Sequence, residues 1–531
     1  MSIHTLPYQY TGYFSKLMCD YLEENEDLQS FYGHFPKLDN FELQIKEKQA
    51  SFNLKSRTTL VKVLQRQYET IDISEATSLH ISSLSEVNTF TITTGHQLNL
   101  FTGPLYFLYK IFSVINLTEK LKEKYPKFNF VPVYWMATED HDFEEINYFN
   151  LFGKKLTWDR ESGGPVGALS TKGLDQLHDI LKAELGNSEN AQKLSQLFAK
   201  AYNDHSNLAD ATRYLGNQLF SDFGLVIIDG NDATLKRTFI PYAEKEIIDN
   251  HSHKKITETS QRLKTLGYPE QVFPREINLF YVSEGLRERI VEHDGSFQVK
   301  ETDLVFTKDE LLNELDKTPE NFSPNALLRP LYQEVILPNL CYIGGGGELG
   351  YWFQLKDYFE SVAVPFPILL LRNSVLLMSE KQAEKLGKLN TKMESLFLPS
   401  HELEALYTKE NSSLKIDFSK QKGHLIEQFK SLHELARETD ASFEGAVAAQ
   451  EKKQINGLLR LEKRLLKAQK RKHQDELMRL TAIQEQLFPK QNLQERTMNF
   501  SEFYLMYGAD LFSELKENLD PLAHEFTIMT L

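Results

Sequence analysis

Cysteine is scarce in this sequence: Cys19 and Cys341 are the only two in 531 residues. Two cannot build a disulfide framework in a chain this long, which points to the reducing cytoplasm. Long apolar runs are also missing. The longest, Val362 to Leu371, stops at Arg372-Asn373 and is about half of what a membrane-spanning helix requires. The first residues, Met1-Ser2-Ile3-His4-Thr5-Leu6, lack the basic start and apolar stretch of a secretion signal. Positive charge is in deficit. Sixty Lys and Arg against 75 Asp and Glu leave a net charge of −15, which argues against nucleic-acid binding through the overall field while leaving room for a local basic patch. No Gly-x-Ser-x-Gly elbow, His-Glu-x-x-His motif or Walker loop occurs.

What is present is ordinary globular material, 41% hydrophobic and 25% charged, in a length that predicts two or three domains. In residues 1–378, apolar strand-like runs alternate with amphipathic helices. Phe90 to Thr94, Val131 to Ala137, Leu225 to Asp229 and Pro367 to Leu371 read as buried strands, and Leu105 to Lys124 as a helix between the first two. This pattern predicts an α/β fold with a mainly parallel, doubly wound sheet. Segments near 153–222 and 269–322 read as insertions. Between Pro399 and Pro489 there is no proline, and Leu425, Phe429, Leu432, Ala436 and then Leu458, Leu461, Leu465, Ala468 follow coiled-coil spacing. Residues 379–488 are therefore expected to form an antiparallel coiled coil, with Asp440 capping a second helix that runs unbroken from about 441 to 487, about 70 Å. Residues 489–531 are expected to return to the core.

Four segments carry candidate chemistry. Thr94-Gly95-His96-Gln97 ends the first strand, at the edge where open α/β sheets bind ligands. Gly95 allows close backbone approach, and His96 and Gln97 can donate to phosphate or carboxylate oxygens. Thr102-Gly103-Pro104 reads as a capped helix start that favours an anion, with Lys110 one or two turns on. Glu139-Asp140-His141-Asp142 follows the second strand. Three carboxylates around one imidazole admit a general base for an amine, a cation site, or recognition of a substrate ammonium; no zinc-like ligand set accompanies them. Ser323, Asn325 and Arg329 form a third group, with Arg329 able to clamp a carboxylate or phosphate. Finally, Gly344-Gly345-Gly346-Gly347 and Glu348 lie between a strand and a helix, where a nest of N–H groups could hold an anion; Tyr351 and Trp352 could stack on a base or sugar, or belong to the core. Cys341, within an apolar strand, reads as buried and inert.

Together, TGHQLNLFTGPLYFLYK, VPVYWMATEDHDFEEIN, SPNALLRPLYQEVILPNL, YIGGGGELGYWFQLK and LFPKQNLQER resemble the bacillithiol-biosynthesis cysteine-adding enzymes, the BshC family. The resemblance spans about residues 90–495. It implies a Rossmann-like nucleotidyltransferase-type core with connecting-peptide insertions and a coiled-coil arm that makes a homodimer. It also implies a cytoplasmic ligase that joins the cysteine carboxyl to the amino group of malyl-glucosamine, with no nucleic acid or membrane as partner. On this view His96, Gln97, Asp140, His141 and Asp142 are catalytic. Thr94, Gly95, Asn99, Thr102, Gly103, Lys110, Glu139, Ser323, Asn325, Arg329, Gly344, Gly345, Gly346, Glu348, Tyr351 and Trp352 bind substrate or nucleotide. An amide requires an activated carboxyl, so ATP and Mg²⁺ are candidate cofactors. Class I adenylating enzymes carry a His-x-Gly-His motif and a lysine-rich loop. Here one histidine, His96, stands at the first place and Arg372-Asn373-Ser374 at the second. Two alternatives remain open: another ATP-dependent amide ligase or nucleotidyltransferase of the same fold, or a non-catalytic coiled-coil assembly protein.

Overall fold

The computed structural model describes residues 2–531. Five parallel strands form its centre: β1 (Thr89–His96), β2 (Asn129–Met136), β3 (Val226–Asp229), β4 (Asn339–Gly344) and β5 (Ile368–Leu371). Their spatial order is β5-β4-β1-β2-β3. They are rich in β-branched, aromatic and leucine residues and are buried along almost their whole length. That is the composition a parallel sheet covered on both faces needs. The chain proceeds from β1 to β2 and β3 on one side, then returns to place β4 and β5 on the other. This reversal opens a crevice at the carboxyl ends of β1 and β4.

Helix α1 (Tyr106–Lys124) crosses from β1 to β2 and is buried without interruption from Phe107 to Thr118. It does not start at Thr102. Phe101, Thr102 and Gly103 all adopt positive φ (48°, 69° and 65°), and neither Thr102 nor any other side chain caps the helix. The cause is non-local. The Phe101 ring is drawn among Phe149, Phe198 and Phe500. Its N–H donates to the Tyr202 hydroxyl (2.8 Å), and Asn499 Nδ2 donates to the Phe101 and Gly103 carbonyls.

Between β2 and β3 lie a hairpin (Tyr148–Leu151 with Lys154–Thr157) and three helices, Leu174–Leu185, Glu189–Asn203 and Leu208–Phe220. Between β3 and β4 the chain builds a five-stranded antiparallel sheet in which Leu279–Ser283 is flanked by Leu286–His293 and Phe322–Pro324. After β5, Val375–Met378 pairs with Glu525–Thr530, which also pairs with Ser2–Pro7.

Helices Ser419–Arg437 and Ala441–Lys472 pair through Leu425, Phe429, Ala436 and Val447. Asp440 Oδ1 accepts the Phe443 N–H at 2.8 Å and caps the second helix. The unbroken 441–487 helix is not found. It ends at Lys472, about 48 Å long at 1.5 Å per residue, and a new helix runs from Gln474 to Leu487. The break at His473 lies where Ser400–Asn411 docks across both helices, with the Tyr407 ring 6.3 Å from that of His473. No helix of the described residues is long and apolar enough to cross a membrane.

Candidate functional site

The β1–β4 crevice is filled by the chain's own polar groups. Lys110 Nζ donates to the Gly95 carbonyl (2.7 Å) and pairs with Glu348 (2.7 Å). Glu348 also accepts the Gly345 N–H (2.7 Å) and the Tyr342 hydroxyl (3.3 Å). Burial disfavours the Glu348 charge, but Lys110 and the Gly345 N–H hold the carboxyl below its usual value. A Cβ at 95 would come 3.2 Å from the Tyr342 hydroxyl oxygen, so that ring would have to give by a few tenths of an ångström. The four-glycine segment is not an anion nest. None of Gly344 to Gly347 adopts the positive φ on which alternating nests depend, and Glu348 has taken the first N–H of the loop.

His96 is buried between the rings of Tyr106 and Phe107. Burial, with the nearby charges of Lys110 and Arg372, holds its proton affinity well below the ordinary value, so the ring is neutral. Its Nε2 is buried without a partner. The Phe101–Gly103 turn, with its three positive φ angles, brings the Thr102 backbone close to this ring.

The acidic segment opens a cavity of about 510 Å³ between the end of β2 and the inserted sheet. Asp140 Oδ2 accepts the Gln97 amide (3.3 Å), which also donates to Glu145 (2.8 Å), and Asp140 Oδ1 accepts the His141 N–H (2.8 Å). Burial opposes ionisation of Asp140, but His141, Arg329 and Arg287 outweigh it and hold the carboxyl well below the usual range. Burial and the neighbouring Asp140 charge push Asp142 the other way. Asp140 raises the proton affinity of His141 while burial and Arg287 oppose it; the 2.7 Å approach of Arg287 Nη1 to His141 Nδ1 requires that nitrogen to be bare. Asp140 is therefore a permanent anion suited to an ammonium, whereas His141 and Asp142 are the groups able to take a proton. Ligand atoms of Asp140, His141 and Asp142 lie within 4.8 Å of one another. Arg287 rests on His141 Nδ1, so only Nε2 of that ring and the two carboxylates are left to ligate a cation.

Several candidate residues serve the scaffold instead. Glu139 pairs with buried Lys236 at 2.5 Å. Thr94 donates to the Ile343 carbonyl across the sheet (2.7 Å). Asn325 accepts the Leu327 and Leu328 N–H groups and donates to Asn278, fixing the turn before Arg329. Asn99 donates to the Glu145 carbonyl, and a Cβ on Gly103 would meet its side chain at 2.5 Å. Trp352 belongs to the core, stacked on Tyr342 with ring centroids 4.6 Å apart. Ser323 is fully buried, with Arg287 Nη2 3.5 Å from its hydroxyl. Gly346 packs near Met18 and Phe14. Tyr351 is buried, with Arg329 Nη2 3.5 Å from its hydroxyl. Burial and Glu334 push the Cys341 thiol well above its usual value, which removes it as a nucleophile.

Sequence reasoning missed the opposite wall of the cavity. Arg275, Arg287 and Arg289 line it together with Arg329. Among the described residues, no carboxylate oxygen lies within 4 Å of any of these four guanidinium groups. The only early signal was Leu-Arg-Glu-Arg within the 269–322 segment, which reads as an insertion.

Residues 1–373 match the family model described as the bacillithiol biosynthesis BshC N-terminal Rossmann-like domain, and residues 375–531 that of the BshC C-terminal coiled-coil domain. Among relatives that carry the name "Putative cysteine ligase BshC", the Flavobacterium johnsoniae protein is 55% identical over 100% of both chains. The Christiangramia forsetii protein is 54% identical over 100% of this chain and 99% of its own. The Cytophaga hutchinsonii protein is 37% identical over 98% and 97%. With a Rossmann-like core, a coiled-coil domain and matches over its whole length, the chain belongs to the BshC family of bacillithiol biosynthesis.

Proposed function

We propose that this protein is the cytoplasmic cysteine ligase of bacillithiol synthesis, joining the cysteine carboxyl to the amino group of malyl-glucosamine. One observation carries the reading: an ionised Asp140, held by Gln97 at the carboxyl edge of the sheet, faces a cavity of about 510 Å³ beside His141. An amine arrives as ammonium and attacks only when neutral. Asp140 would hold the ammonium, and His141 or Asp142 would take its proton as the carbon–nitrogen bond forms. Full-length relatives that carry the name "Putative cysteine ligase BshC" support the same reaction.

Amide formation also needs an activated carboxyl, for which ATP with Mg²⁺ is the source to test. The β1–β4 crevice does not fit a phosphate chain. Lys110 is committed to Glu348, Arg372 to Glu495, and the Gly345 N–H to Glu348. No step is therefore routed through a nucleotide there. A homodimer through the helical hairpin belongs to the same reading, because Leu432, Leu435, Leu459 and Leu461 remain exposed on it.

The test is direct. Purified protein is incubated with malyl-glucosamine and cysteine, with and without ATP and Mg²⁺, and bacillithiol is followed by mass spectrometry. Product that depends on ATP is expected. No product under any condition would overturn the proposal.

A further inference from the structure

We propose that Arg287 and Arg289, with Arg275 beside them, form the subsite for the malyl dicarboxylate, so that the inserted antiparallel sheet is the specificity element of the reaction. This rests on the ligase reading above. The chain carries 15 more acidic than basic side chains, yet guanidinium groups without an ion-pair partner converge on one cavity. Asp140 and Asp142 line the same cavity and offset part of this charge without pairing directly with it, and a bound anion would complete the rest.

Geometry narrows the anion. Arg287 and Arg289 are two residues apart in the strand Leu286–His293, so both project from one face. Their Cα atoms are about 7 Å apart at strand spacing, close enough for two side chains to share one four-carbon diacid. The Arg287 guanidinium lies 4.0 Å over the Phe280 ring, and its Nε is buried without a partner. A stacked, planar guanidinium with a free N–H is suited to a planar carboxylate. Arg329 lies against Tyr351 and near Asp140, and is left for the acyl donor.

The subsite also meets the proton acceptor. Arg287 Nη1 touches His141 Nδ1, and its charge opposes protonation of that ring. A carboxylate that engages Arg287 neutralises this opposition, so a bound malyl group would make His141 a stronger base. An amino sugar lacking the malyl group would lose both the anchor and this effect.

The experiment uses Arg289→Ala and the Arg287→Ala/Arg289→Ala double variant, checked for folding by circular dichroism. Calorimetric titration with L-malate and, separately, with pyrophosphate is paired with steady-state kinetics. Wild type is expected to bind malate, and each lost arginine to weaken it about 10- to 100-fold, the scale of a charge-assisted pair. Arg289→Ala should raise the KM for malyl-glucosamine while leaving the KM for cysteine and kcat within about threefold. A KM change confined to cysteine, or binding of pyrophosphate but not malate, would overturn the subsite and leave the ligase reading standing. Arginine-dependent malate binding by a protein that makes no bacillithiol would do the reverse.

Discussion

Arg372 and Glu495, 123 residues apart, form a two-bonded ion pair at 2.7 and 3.0 Å, with side-chain exposures of 4% and 0%. Arg372 directly follows β5, and Glu495 lies in the segment that leaves the helical domain. Glu495 also accepts the Val375 N–H, and Gln494 bonds both ways with the Leu377 backbone. This is what LFPKQNLQER does in the fold: it clasps the chain at the point where core and helical domain meet.

Removing one side of such a pair strands a buried charge. Glu495→Ala should cost about 3–5 kcal/mol of stability, measured by urea unfolding. Replacing both partners, as Arg372→Met/Glu495→Leu, should cost distinctly less. A double variant as unstable as the single one would show that packing, not the stranded guanidinium, sets the loss.

The core strands were legible because β-branched and aromatic runs declare themselves locally. Their order was not, since it depends on which distant strands meet. The acidic segment was legible for the same local reason. Arg287 and Arg289 were hidden because alternating charge along Leu286–His293 looks like a solvent face until the opposite wall is known. The glycine segment misled in another way. Its composition permits a nest, but Glu348, three residues on, reaches back and takes the N–H first. Thr102 failed as a cap because Asn499, Tyr202 and the aromatic cluster around Phe101 override local propensity.

His96 offers a buried, unpartnered Nε2 beside the crevice and stays neutral. His96→Ala should lower kcat by about 10² or more, the usual scale for a positioned polar group. The pH profile should keep its shape, because His96 does not titrate in the working range. A variant with near-normal turnover would reduce His96 to a packing residue.

Asp140 and His141 should separate in a pH–rate profile. Asp140 raises the proton affinity of His141, so Asp140→Asn lets it fall. The base must be unprotonated to act, and the acid limb of kcat/KM should therefore move to lower pH. The plateau should drop as well, about tenfold or more, because the ammonium loses its anion. An acid limb that stays in place would assign the proton to a group outside this cluster, because the Asp140 charge raises Asp142 as well.

Glu502 supplies a stability test far from the reaction. It is 7% exposed and lines a second cavity, of about 470 Å³, between the hairpin and the Gln474–Leu487 helix. Oε1 accepts the Phe152 N–H at 2.9 Å, but burial dominates and raises the carboxyl from 4.5 to about 7. The folded state thus binds this proton more tightly than the unfolded chain. Between those two values the native protein carries more protons, so stability falls as pH rises through the window and levels off above 7. The full loss is about 3 kcal/mol at most. Glu502→Gln keeps the shape and the acceptor oxygen while removing the charge. It should match wild type near pH 4 and be more stable by up to that amount at pH 8, read from urea unfolding at both values. Equal stability at pH 8 would mean that water entering the cavity already solvates the carboxylate.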